Sequence, residues 1–201
     1  MNTRIFALCL MLGTSLSLAQ EFREVAKVKA AERAAMLETL QKGKEIQGSR
    51  GQYRVLPEVR AVEHKASLET PQEALARVGE SSAQLVETKG RFVLFRSTQR
   101  KPAFVGRVAG ATVYPTVLNT RTGNFGVLTG ALVVKPKSMD DVAAIANSHG
   151  LETAKEYPHL HTVFYRVKAN MDVADVAAAL QSDARIESAY PEIIEYVRTP
   201  K

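Results

Sequence analysis

"GALVVKPKSMDDVAAIANSHGLETAKEYPHLHTVFYRVKANMDVADVAAALQSDARIESAYPEIIEY" (residues 130–196) decides the fold. Two of its segments carry helical spacing. Val142, Ile145, Ala146 and His149 fall at i, i+3, i+4 and i+7, and Val173, Val176, Ala177 and Leu180 repeat the stripe. Ser138 caps the first helix, with Asp141 at the reciprocal position and Gly150 at the C-terminal stop; Asn170 caps the second. Around them, "TGALVVKPK", "LETAKEYP", "HTVFYRVKA" and "ARIESAYPEIIEYV" read as strands. In the third, Val163, Tyr165 and Val167 share one side and Phe164 takes the other, because strand side chains alternate. The order is β-α-β-β-α-β, and each helix has one narrow stripe of mostly small residues. Such helices lie close on one face of a four-stranded sheet. The expectation is an α+β chain whose residues 125–201 form a ferredoxin-like split β-α-β sandwich. The other sheet face then needs a cover, either an upstream segment or a partner.

Upstream, residues 51–124 read as a mixed extension with strands. "QEALARV" (residues 72–78) is a short helix after Pro71, with Thr70 as its cap. "RFVLFRS" (residues 91–97) is a strand, and Asn119, Gly123 and Asn124 mark a hairpin turn. Pro115 points to a strand edge or a bulge. Residues 20–50 read as an amphipathic helical arm: Val25, Val28, Ala31, Ala35, Met36 and Leu40 recur near helical spacing, and "GSRGQ" ends it. Residues 1–19 read as a signal peptide. Arg4 gives the positive start, residues 5–12 the apolar run, and Ser17-Leu18-Ala19 a small-x-small cleavage site. The run is shorter than the roughly 20 apolar residues a span needs. A periplasmic or secreted protein is expected, cut after Ala19, with no membrane contact afterwards.

The one cysteine, Cys9, lies in that leader, so the mature chain has no disulfide, thiolate nucleophile or cysteine metal ligand. A net charge of +6 admits acidic partners, but bases and acids alternate along the arm, which reads as a solvated helix face rather than a nucleic-acid patch. His159 and His161 stand two apart in a turn without a third ligand nearby, so no metal is expected. His149 reads as a packed histidine at a helix C-terminus. No phosphate-loop, nucleophile-elbow or zinc-protease motif occurs, so no enzyme and no cofactor is expected.

The order of motifs in residues 130–196 resembles the prodomains of subtilisin-like serine proteases, the fervidolysin type among them. The matching features are the "VVK" strand, an Ala-rich helix ending in "HGL", a Tyr-Pro turn, a "YRV" strand and the "AAALQSDARIESAYPE" junction. In the proteases a catalytic domain follows the prodomain, whereas here residue 201 ends the sequence. The resemblance therefore implies a separate chaperone and inhibitor of a secreted bacterial subtilase, with the basic-specific, kexin-like type among the candidates. It implies that the open sheet face packs on surface helices of the protease. It also implies that the C-terminal tail, Tyr196, Val197, Arg198, Thr199, Pro200 and Lys201, enters the cleft as a product-like strand. In that register Lys201 fills the first pocket, and Pro200 and Arg198 the second and fourth. Phe164, Tyr165 and Tyr190 are the candidate contacts on the face, and a one-residue slip reverses such a set. Two other classes fit the residues: a periplasmic binding or sensor module with no protease partner, and a surface-interaction protein acting through the helical arm.

Overall fold

The computed structural model describes residues 31–64, 69–97, 105–169 and 171–195. It divides into two units, Met1–Leu40 and Gln41–Lys201. In the first unit residues 31–39 form helix α1, where the Thr39 hydroxyl donates to the Met36 carbonyl (2.8 Å). The rest of the expected signal peptide and arm up to residue 30 lies outside the described residues.

The second unit is built on one ten-stranded antiparallel sheet. Its elements run β1 (Glu45–Gly48), β2 (Gly51–Glu63), α2 (Pro71–Arg77), β3 (Gln84–Lys89), β4 (Phe92–Arg96), β5 (Gly106–Val108), β6 (Ala111–Asn119), β7 (Phe125–Pro136), α3 (Val142–Ser148), β8 (Leu151–Tyr157), β9 (Thr162–Val167), α4 (Val173–Gln181) and β10 (Ile186–Ile194). The helical reading of residues 20–50 fails at its end. Glu45 and Gln47 are exposed while Ile46 and Gly48 are buried, a period of two, and β1 pairs with β2 so that Ile46 faces Tyr53. Burial against a neighbouring strand outweighs the helix propensity of the residues before it.

β7 and β2 organise the sheet in the same way. Each is long, with one partner along most of one edge and two partners sharing the other. β10 runs along one edge of β7 from Val127 to Pro136. The other edge holds β6 at Phe125–Val127 and then β9 at Ala131–Val134. Between the two, Gly130 has φ +83°, a left-handed conformation that costs glycine little, and its Hα side comes close to Val105. Along β2, β6 takes one edge and β1 and β4 divide the other. Pro115 does sit at an irregularity. β6 meets β5 through Ala111–Val113 and β7 through Thr116–Leu118, so the proline falls in the gap on that edge, while on the other it stands opposite Arg60 beside the register shift of β2. The Lys89 ammonium donates to the Phe125 carbonyl (2.5 Å), so the sheet curls until the end of β3 reaches β7.

The last four strands lie in the order β8-β9-β7-β10. β7 and β8 are each antiparallel to β9 and hence parallel to each other, which is the split β-α-β arrangement. The helices α3 and α4 cover one face. Val142, Ile145 and Ala146 of α3 and Val173, Val176, Ala177 and Leu180 of α4 pack on Leu132, Val134, Val163, Tyr165 and Ala189. Both stripes therefore bury as their spacing requires. A second core forms where α2 lays Ala74 and Leu75 on Val62, Val93, Phe95 and Val113. A third, Ile46, Tyr53, Val55, Val117, Leu128 and Ala174, joins the first strands to α4.

The caps partly differ from the sequence reading. Thr70 and Glu73 form a reciprocal capping box on α2. Ser138 instead caps the 3₁₀ turn Met139–Asp141 ahead of α3, accepting from the Asp140 N–H. Asp172, two residues past Asn170, caps α4 by accepting from the Ala174 and Asp175 N–H groups. Asn170 itself lies outside the described residues.

A surface clamp joins the end of α3 to the start of β10. The Asp183 carboxylate takes bonds from the Arg185 side chain (2.6 and 3.0 Å) and from its backbone N–H (2.9 Å), and lies 2.8 Å from His149 Nε2. Those Arg185 bonds, and then His149, hold the carboxyl well below the usual range. A depressed folded-state pKa contributes stability that is present above the unfolded value, about 3.9, and is lost as pH falls through the lower folded one. Asp183→Asn is therefore expected to lower stability by about 1 kcal/mol near neutral pH, a figure already reduced for solvent screening. In urea titrations at a series of pH values, the gap between variant and parent should shrink below about pH 4. A gap independent of pH would assign the loss to shape rather than charge.

Candidate functional site

The face of the last four strands opposite α3 and α4 carries one row of side chains in register. Tyr190 of β10 stands opposite Val133 of β7, Val133 opposite Phe164 of β9, and Phe164 opposite Lys155 of β8. Tyr190, Val133 and Phe164 are half-buried, and Lys155 is exposed. Tyr157 adds to the row, its ring edge-on to Phe164 with centroids 5.7 Å apart and Lys155 Nζ 4.7 Å from its centre. Lys135 and Arg166 are exposed on the same face, two residues along β7 from Val133 and two along β9 from Phe164. Rigid aromatic area rimmed by cations is the make-up of a protein-contact surface.

Of the three face residues expected from sequence, the structure brings Phe164 and Tyr190 together on this row and removes Tyr165 from it. Tyr165 is 0% exposed. Alternation turns it under α3, its hydroxyl donates to the Val142 carbonyl (2.9 Å), and burial pushes its phenol up to about 12. Sequence reasoning missed Tyr157 and Lys155. The pairing of β8 with β9 shifts between Thr153 and Lys155, and that bulge reverses which side chains of β8 share a face with Phe164. Simple alternation along "LETAKEY" does not reveal it.

The tail Tyr196, Val197, Arg198, Thr199, Pro200 and Lys201 lies outside the described residues, but the point it leaves from is described. Glu195 is only 4% exposed and accepts from the Asn119 side-chain amide (2.7 Å). The Asn119 carbonyl oxygen in turn accepts from the Arg121 and Thr122 N–H groups (3.0 and 3.1 Å), holding the β6–β7 turn. Burial, and then the Glu195 carboxylate beside it, push the Tyr53 phenol up to about 12. Ile193 lies over Gly126, where a Cβ would stand 2.5 Å from its Cγ2. A polar lock of Tyr53, Asn119 and Glu195 and an apolar contact thus grip the end of β10 from β2, β6 and β7.

Beside the row, a notch of about 520 Å³ opens where β7 exchanges β6 for β9. Arg107, Thr112, Tyr114, Thr129, Gly130 and Arg166 line it. A larger cleft near α2, about 800 Å³, is lined by Glu63, Glu69, Glu73, Arg77, Arg91 and the buried His64. Its charged groups are engaged: Arg77 meets Glu69 at 2.8 Å, Arg91 meets Glu63 at 3.2 Å, and Glu73 accepts from the Thr70 N–H at 2.7 Å. No group of three or more metal-ligating side chains occurs among the described residues. Ser148, next to His149, turns its hydroxyl back to the Ala144 carbonyl (2.9 Å), and His149 faces Asp183.

The family model described as open reading frame 2 N-terminal domain matches residues 14–200. No curated protein matches the chain. Among solved structures, a chain from the crystal structure of the Aeromonas sobria serine protease (ASP) and the chaperone (ORF2) complex is 19% identical, with a TM-score of 0.36. The match covers 48% of this chain and 99% of that one.

Proposed function

The chain belongs to the open reading frame 2 N-terminal domain family, and from that membership we propose that it is a secreted chaperone and inhibitor of a subtilisin-like serine protease. The observation that carries the reading is the open row of Tyr190, Val133, Phe164 and Tyr157 on a split β-α-β sheet whose other face is filled by helices. Residues 130–196 also resemble subtilase prodomains in their motifs. The name ORF2 is borne by the chaperone crystallised with the A. sobria serine protease, and the family description shares that name.

In this mechanism the aromatic row docks on the folded protease. A partner that binds the native but not the unfolded enzyme stabilises it by mass action. If the contact is already made in the folding transition state, it speeds folding as well. The tail from Tyr196 to Lys201 continues from the gripped end of β10 into the substrate cleft and blocks it by strand addition. The protein acts by binding and carries out no catalysis itself.

The test uses residues 20–201 and the same chain lacking residues 198–201, against a panel of secreted subtilases that includes basic-specific ones. Inhibition and the yield of activity on refolding from denaturant are both measured. The expected outcome is inhibition of at least one enzyme together with a higher refolding yield, with the truncation weakening inhibition more than folding assistance. Equal loss of both activities would end the division of labour between face and tail. No effect on any enzyme, with no subtilase recovered from the source's secreted fraction, would end the proposal.

A further inference from the structure

We infer that the notch between β6 and β9 receives a carboxylate, an Asp or Glu side chain of the protein that docks on the aromatic row. Two exposed arginines converge on it. Arg107 comes from β5, where it pairs with Thr112, and Arg166 comes from β9 opposite Ala131. Among the described residues neither makes an ion pair, although Arg54, Arg77, Arg91, Arg96 and Arg185 all do. Of the nearby acids, Glu63 and Glu192 are already engaged, while Glu152 makes no ion pair with Arg166. Glu63 holds Arg91 (3.2 Å) and faces the Tyr114 hydroxyl (3.4 Å). Glu192 accepts from Thr129 (2.5 Å) from the far side of β7. Glu152, opposite Arg166 in register, is exposed.

The fold leaves this position open for a backbone reason. β7 changes partners around Gly130 and β6 changes partners around Pro115, so the ladder is interrupted on both sides of one spot. The side chains of Thr112 and Tyr114 line the same walls, with the Tyr114 hydroxyl turned to Glu63, so the two guanidinium groups are the donors an anion would meet. Guanidinium groups suit a carboxylate because their donors form a planar fork. Arg166 also lies only two residues along β9 from Phe164 and on the same face, so a partner seated on Val133 and Phe164 reaches the notch without a second docking event. In a desolvated contact such a pair supports specificity, and at its rim it raises the association rate.

The inference rests on the proposed protein partner for its occupant, and its test separates the two. In the first arm, the Nε–Hε signals of the arginines in residues 20–201 are followed by NMR while N-acetyl-glutamate amide is added. Arg107 and Arg166 should shift together and saturably at millimolar probe, and exposed Arg121 should not. Movement no larger than that of Arg121 would overturn the inference. In the second arm, the double variant Arg107→Glu with Arg166→Glu is tested on any subtilase the parent inhibits. A rise in inhibition constant of about 30-fold is expected from like-charge contact, carried largely by the association rate and diminished by salt. Arg121→Glu should leave inhibition unchanged. Full inhibition by the double variant would overturn the notch while leaving the protease reading intact. Saturable binding of the probe with no subtilase bound would do the reverse.

Discussion

Asn119→Ala is expected to lower the stability of the second unit by about 2–3 kcal/mol, the scale for removing a buried hydrogen bond to a charged group. Asn119 and Glu195 are 2% and 4% exposed, and the Asn119 amide donates to the Glu195 carboxylate. Truncation leaves that carboxylate in a dry site beside a Tyr53 phenol that is itself pushed up to about 12. It also strips the acceptor from the Arg121 and Thr122 N–H groups in the β6–β7 turn. Urea unfolding followed by circular dichroism gives the midpoint, and an unchanged slope would attribute the shift to stability alone. Asn119→Asp should be worse near neutral pH, because it sets a second carboxylate against the first. A loss under about 1 kcal/mol for the alanine variant would mean that water satisfies Glu195.

Phe164→Glu is expected to weaken partner binding by more than about 100-fold while leaving the fold within roughly 1 kcal/mol of the parent. The side chain sits at the middle of the row, between Val133 and Lys155, and packs edge-on against Tyr157. An acid there removes aromatic area from the centre of the face and places a desolvated charge in the contact. Lys155 and Arg166 lie near enough to keep the free protein tolerant of it. The neighbouring Tyr165→Glu is the control with the opposite signature. It buries a charge under α3 and discards the bond to the Val142 carbonyl, so the fold itself should fail. Inhibition constants on a subtilase bound by the parent, with unfolding midpoints for both variants, read the two effects separately. Unchanged binding by a folded Phe164→Glu protein would remove the row as the docking surface.

The helices and their buried stripes were legible because their signal is local. Val142 with Ile145 and Val173 with Leu180 fix a face by spacing alone, and the alternation of Val163, Phe164 and Tyr165 separates core from surface once a helix stripe is known to cover one side. What could not be read depended on pairing between distant residues. The bulge at Thr153–Lys155 moves Tyr157 onto the row, and only its register with β9 reveals this. The contact of Asn119 with Glu195 spans 76 positions, and nothing in "VLNTRTGN" announces that partner. β1 was misread as helix because its sheet partner, not its own residues, decides its form.

The strand β7 is held by β6, β9 and β10 together, and this makes the two halves of the sheet thermodynamically dependent. A strand common to both cannot be released by one without loosening the other, so residues 41–124 and 125–195 melt as one cooperative unit rather than as separable modules. Occupation of the aromatic row, which stands on β7, therefore raises the free energy needed to open β3 and β4 at the far end, although nothing touches them. If the row is the docking surface proposed above, each contact made on Val133, Phe164 and Tyr190 returns protection to the upstream strands through β7.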